Sequence, residues 1–183
     1  MNRFVRASFT MVAAALAFSA ADAQAQIGFS VAGGPTFPMG DAGDVLDMGY
    51  HAKVAASFKV PVLPIGLEAD AMWNQFDYSD LDDANSRILS GTLNAVINLP
   101  TPGITPYIIG GVGMYNGKDD IEGIEDSEGS TDFGINAGVG VRLGLVGLGG
   151  VFAEARLHNI FVDGADGESE SVRFVPVSLG IRF

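Results

Sequence analysis

Apolar residues in this chain alternate with polar or small ones over long stretches. From Phe133 the odd positions read Phe133, Ile135, Ala137, Val139, Val141, Leu143 and Leu145, and between them stand Gly134, Asn136, Gly138, Gly140, Arg142 and Gly144. A period of two over this length is the mark of a strand with one apolar face. The pattern returns from Leu89 to Leu99, from Ile65 to Trp73, from Val151 to Leu157, and along Val175, Val177, Leu179, Ile181 and Phe183. The alternation predicts strands at 27–37, 49–60, 65–76, 87–99, 104–116, 131–145, 149–162 and 172–183. Short gaps at 61–64, 100–103 and 146–148 alternate with long ones at 38–48, 77–86, 117–130 and 163–171. That rhythm predicts an all-β fold, an antiparallel up-and-down meander of eight strands with both ends at the tight turns.

The two faces differ in kind. One is bulky, aliphatic and uncharged at mid-strand. The other is mostly Gly, Ser, Asn and Thr, dotted with Lys53, Lys59, Glu68, Asp70, Arg142, Glu154, Arg156 and Arg182. Small residues and charges of both signs suit the narrow, filled interior of an eight-stranded barrel. Buried charges need partners, and a two-residue turn at Val62-Leu63 would set Lys59 diagonal to Glu68 and Lys53 diagonal to Asp70. A tight turn at 147–149 would set Arg142 opposite Glu154. The aliphatic face would then meet lipid, making the fold class a transmembrane barrel. A soluble lipocalin-like barrel would reverse the two faces.

Aromatics and acids are distributed in keeping with the membrane reading. After residue 25 the aromatics fall near strand ends. Nine lie toward the long loops, among them Trp73, Tyr115, Phe133 and Phe161, and five toward the tight turns, among them Tyr107 and Phe58. Two interfacial girdles have this spacing. Eighteen of the 21 acidic residues after position 25 fall in or beside the long gaps. Pro176 interrupts the last strand, and a bulge or the barrel seam is expected to absorb it.

Residues 1–25 have the form of a secretory signal peptide: Arg3 and Arg6, an apolar run from Phe9 to Ala21, then the overlapping patterns Ala21-Asp22-Ala23 and Ala23-Gln24-Ala25. Cleavage after Ala25 would leave a barrel domain at 26–183. The chain of 183 residues has no cysteine, which excludes disulfides, thiolate metal sites and cysteine nucleophiles. Its net charge of −12 speaks against a nucleic-acid partner.

Three stretches carry a resemblance: TPYIIGGVGMYN at 105–116, TDFGINAGVGVRLGL at 131–145, and the closing VSLGIRF. With the leader and the eight segments, the chain resembles the small outer-membrane β-barrel family that includes opacity-type proteins. The first two stretches look like that family's glycine-rich fifth and sixth strands. The last, with Val177, Leu179, Ile181 and Phe183, resembles its carboxyl-terminal assembly signal, although Ile181 stands where the family often has a second aromatic. The resemblance implies the outer membrane of a Gram-negative-type envelope as location. It implies as partners the barrel-assembly machinery, periplasmic chaperones, and outer-membrane lipid and lipopolysaccharide.

No residue set for catalysis stands out. His158 lies in RLHNIF, where Ile160 occupies the position at which lipid A deacylase barrels carry serine. His51 shares a face with Lys53, without a recognisable nucleophile. The third long gap holds Asp119, Asp120, Glu122, Glu125, Asp126, Glu128 and Asp132, and the fourth holds Asp163, Asp166, Glu168 and Glu170. Such oxygen ligands suit calcium or magnesium, yet neither segment has calcium-loop spacing, so no metal site and no cofactor is predicted. These runs read as a solvated acidic surface that divalent cations would bridge to anionic lipopolysaccharide. The expectation is a non-enzymatic outer-membrane barrel whose acidic loops serve envelope integrity or adhesion. A narrow channel, a lipid-modifying barrel enzyme and a soluble periplasmic binding barrel are the alternatives.

Overall fold

A computed structural model describes residues 27–59, 65–79, 84–99, 101–121, 129–145, 149–163 and 169–183. The leader at 1–25, the turn residues Val62 and Leu63, and the loop acids Glu122, Glu125, Asp126, Glu128, Asp166 and Glu168 lie outside them. Eight strands close into one barrel: β1 (Ile27–Met39), β2 (Gly49–Lys59), β3 (Ile65–Asp77), β4 (Ala84–Asn98), β5 (Thr105–Ile121), β6 (Ser130–Leu145), β7 (Gly149–Asp163) and β8 (Ser169–Arg182). Each pairs antiparallel with its neighbours in sequence, and β8 closes against β1. Closure gives every strand a partner on both sides and leaves no free edge.

Orientation follows from side-chain exposure. Val54, Leu67, Leu93, Val139 and Leu179 point away from the axis, with Leu93 67% and Leu179 69% exposed. Lys53, Glu68, Asp70, Glu154 and Arg156 point inward and are buried. Among the described side chains at outward strand positions, the charged ones are Asp77, Arg87, Lys118 and Arg173, all at the long-loop end. So wide an apolar exterior would aggregate in water and is at rest in hydrocarbon. The reversed, lipocalin-like arrangement is not this molecule.

Several strands run longer than the alternation predicts. β4 begins at Ala84 and β5 continues to Ile121, paired through Asn85↔Asp120 and Arg87↔Lys118. Polar side chains fill these extensions, so no apolar alternation marks them, yet the backbone ladder continues. Pro176 needs no bulge. Ala155↔Val177 and His158↔Phe174 keep one offset on the β7 side, as Gly33↔Leu179 and Thr36↔Pro176 do on the β1 side. The ladder skips positions at Pro176, and again opposite Pro35, without slipping. Nor does the seam absorb it: Thr36↔Pro176 is paired there, and the position skipped at the proline lies on the β7 side.

The register agrees with the turn expected at Val62-Leu63, since Lys59 stands opposite Gly66 and is therefore diagonal to Glu68. At the β6–β7 turn it differs. Leu145 stands opposite Gly149, and this puts Phe152 rather than Glu154 across from Arg142. Gly149 takes a left-handed φ of 83°. A Cβ there would strike the carbonyl of Arg182, so only glycine brings the chain into the ladder at this point.

Candidate functional site: a filled lumen beneath an acidic mouth

The interior is built in layers. Toward the tight turns, Val96, Tyr107 and Ile109 form an apolar cluster. Above it sits an ion network centred on Arg156. Its Nη1 donates to Asp70 Oδ2 at 2.7 Å, and its Nη2 donates to Glu154 Oε1 at 2.7 Å and Glu68 Oε1 at 3.4 Å. Lys53 Nζ donates to the same Glu154 Oε1 at 2.6 Å, and Tyr107 Oη donates to Glu154 Oε2 at 2.8 Å. Arg142 reaches Glu68 at 3.9 Å, donates to Asn98 Oδ1 at 2.6 Å, and lies over the Tyr107 ring at 3.9 Å. Lys53, Arg142 and Arg156 thus balance Glu68, Asp70 and Glu154, three charges against three. Neutrality with short contacts is what makes buried charge tolerable.

Two of the eight predicted lumen charges stand apart. Lys59 is exposed at the end of β2, beyond the sealed region. Arg182 is half-buried and donates to Ser57 Oγ at 2.9 Å rather than to a carboxylate. The partner expected for Lys53 also differs. It bonds Glu154, from β7 across the lumen, and Asp70 is taken by Arg156.

A neutral hydrogen-bond layer lies beside this network. Thr36 donates its hydroxyl to Asn74 Oδ1 at 3.1 Å and meets His51 Nδ1 at 3.0 Å, while His51 Nε2 meets Ser178 Oγ at 2.8 Å. The two hydroxyls thus bracket the His51 ring, one ring nitrogen donating and the other accepting. Ser178 next to a histidine is a contact the sequence does not reveal. It is no exposed nucleophile, because Thr36, His51 and Ser178 are all buried. His158 accepts from or donates to Tyr115 Oη at 2.8 Å and stacks on Phe174 at 4.9 Å between centroids. Asp70 Oδ1, Asn74 Nδ2, Asn136 Oδ1, Arg156 Nε and His158 Nε2 find no hydrogen-bond partner among the described residues. Buried polar groups of this kind bind internal water.

An apolar plug of Phe76, Ile88, Tyr115, Ile160 and Phe174 caps the lumen, with Leu46, Val162 and Val172 packed on it. The girdle reading therefore fails for Tyr107 and Tyr115. Odd positions of β5 face inward, and each phenol finds a polar partner there, as a buried tyrosine requires. Trp73, Phe133, Phe161 and Phe58 do lie on the outer face. Trp73 meets Tyr50 edge-on at 5.5 Å, and Phe133 stacks with Phe161 at 6.3 Å. Leu179, Ile181 and Phe183 of the closing segment are exposed on the outer face and Val177 is half-exposed there.

Glycines in the wall make this filling possible. A Cβ on Gly140 would enter the Tyr107 ring, one on Gly134 would come within 2.7 Å of the Tyr115 ring, and one on Gly180 would enter the Phe152 ring. Each aromatic covers the bare backbone of its neighbour. Glycine-rich strands here are the complement of bulky inward side chains.

Above the plug is an open cavity of about 870 Å³. The loop after β1 forms one wall, with a 3₁₀ turn at Gly40–Asp44 and Leu46 bridged to Tyr78. Among the described residues, no group of histidine and carboxylate side chains is arranged to hold a metal ion.

Among solved structures the chain is similar to Neisserial surface protein A (NspA), with 16% identity and a TM-score of 0.69 over 85% of this chain and 95% of that one. It is similar to Ail, the attachment invasion locus protein of Yersinia pestis, with 14% identity and a TM-score of 0.52 over 86% and 98%. The N-terminal β-barrel domain of Pseudomonas aeruginosa OprF gives 15% and 0.51 over 86% and 98%. At such identities the likeness is one of fold. No curated protein sequence matches. The family model described as "Outer membrane protein beta-barrel domain" spans residues 8–183. With a closed eight-stranded barrel, an apolar exterior and a charged, filled interior already in place, the chain belongs to the outer membrane protein beta-barrel family.

Proposed function

We propose that the protein is a non-enzymatic outer-membrane anchor that presents an acidic surface at its long-loop end for envelope integrity or adhesion. The observation that carries this reading is the filled lumen. An ion network and an apolar plug occupy the bore, so the wall meets lipid and the loop end remains as the working surface. Long loops face outward and short turns face the periplasm in barrels of this kind. Two of the similar barrels are by name a surface protein and an attachment invasion locus protein, which accords with the reading. The leader at 1–25 would direct export, and the segment ending in Phe183 would be read by the assembly machinery.

The acidic loops also fit divalent bridging to lipopolysaccharide, because two anionic surfaces side by side require cations between them. On this reading a chelator reduces the lipopolysaccharide that co-purifies with the barrel, and excess magnesium restores it. Equal co-purification with and without chelator removes the bridging.

The decisive test is complementation of a deletion strain. A variant in which short turns replace residues 122–128 and 164–168 should still migrate as a heat-modifiable folded barrel but should not restore detergent resistance or surface attachment. Full restoration by this variant would place the function in the wall instead. Mass spectra of lipid A should be the same with and without the protein; a new lipid A species that disappears with His51→Gln would support the enzyme alternative.

A further inference from the structure

The cavity at the mouth is neither part of the anchor nor a plain acidic surface. Its volume, about 870 Å³, falls in the range of small-molecule sites. Its floor is the upper side of the plug, with Ile88, Ile160 and Val172 presented upward. One wall is held in place by backbone bonds from Leu46 to Ala42 at 3.0 Å, Asp47 to Asp77 at 2.9 Å and Ser79 to Val45 at 3.1 Å. Its rim carries Asp41, Asp132 and Glu170, from three separate parts of the chain, and no basic side chain lines it among the described residues.

Charge at this end of the barrel is sorted by direction. Asp132 and Glu170 occupy inward positions of β6 and β8. Arg87, Lys118 and Arg173 occupy outward positions of β4, β5 and β8 and are exposed. Among the described residues at this end, the inward positions therefore carry negative charge alone, whereas the outward ones mix these three cations with Asp77. A bare metal ion would use the carboxylates and leave the apolar floor wet. A neutral acyl chain would use the floor and desolvate the carboxylates without compensation. A ligand satisfying both has a cationic head and an apolar body.

The geometry points to a binding site for a small organic cation of that class, an aryl- or alkyl-ammonium whose body lies on Ile88, Ile160 and Val172 and whose head meets Asp132 and Glu170. The site goes beyond the anchoring role and does not rest on it, since binding is measured on the isolated barrel.

The test uses the full barrel in nanodiscs of zwitterionic phospholipid at low ionic strength, with methyl-labelled isoleucine, leucine and valine followed by NMR. Three probes are compared: 4-phenylbutylammonium, the anion 4-phenylbutyrate, and tetramethylammonium. The first should shift the methyl signals of Ile88, Ile160 and Val172 saturably, about tenfold more tightly than either of the others. Asp132→Asn with Glu170→Gln should weaken it about fivefold or more while leaving the heat-dependent gel shift intact. Equal affinity for the cation and the anion overturns the proposal. So do shifts confined to Leu93 and Val139 on the outer wall, which would mean partition into the bilayer. Should the double variant fail to fold, the three-probe comparison on the unaltered protein decides alone.

Discussion

At Arg156 one guanidinium holds Asp70, Glu154 and Glu68 together inside the barrel. Removing it leaves three carboxylates in a closed space with Lys53 and Arg142 as the remaining cations. Arg156→Met should therefore cost about 3–5 kcal/mol, the range for breaking a buried pair from one side, read from urea unfolding in lipid vesicles. Lys53→Met with Glu154→Gln should cost less than the sum of the two single changes, because the pair is removed together. Strict additivity would mean that the 2.6 Å contact between them contributes nothing. Tyr107→Phe should lose about 1.5–3 kcal/mol by the same assay, since its hydroxyl donates to a charged acceptor.

Strands carry a different lesson. Alternation reports which environment a side chain meets, and lipid against lumen is a strong contrast. Eight strands and the two faces of most of them are for that reason legible in the sequence. β5 is less so, because Tyr107, Ile109 and Tyr115 on one side and Ile108, Val112 and Met114 on the other look alike in hydropathy. The inward phenols are identified by their partners Glu154 and His158, which lie on β7. Strand ends above the membrane carry no such signal, because water on both faces erases the contrast while backbone pairing persists. The sharpest element-scale prediction contrasts neighbours on β4. Leu93→Arg places a charge on the lipid face at mid-strand and should cost about 2–4 kcal/mol. Asn94 points into the lumen, where its amide donates to Asp70 Oδ2 at 2.9 Å. Arg156 still holds that oxygen without Asn94, but the buried Asn136 amide, which donates to Asn94 Oδ1 at 2.9 Å, loses its acceptor, so Asn94→Leu should cost about 1–3 kcal/mol through an orphaned amide rather than through lipid. Unfolding free energies for both, in one lipid, check the pair.

For the molecule as a whole, closure creates contacts that no local pattern contains. Lys53 meets Glu154 and His51 meets Ser178 only because β8 returns to β1 and the bore is narrow enough for side chains to span it. The cross-lumen pairs depend on the stagger of all eight strands, and this is why local register assigned Lys53 to Asp70. A bore filled in this way should pass no stable current, and planar bilayers containing the barrel should show no steady nanosiemens conductance; such a conductance would mean that the network does not seal. Aliphatic side chains facing lipid define this barrel, and fluorescence tests their placement most directly. With Trp73→Phe removing the single natural tryptophan, a tryptophan is introduced by Leu93→Trp or, separately, by Thr92→Trp, and each barrel is reconstituted with phospholipid brominated deep in its acyl chains. The tryptophan at 93 should be strongly quenched and the one at 92 spared. Quenching at 92 with none at 93 would turn the barrel inside out and contradict the account.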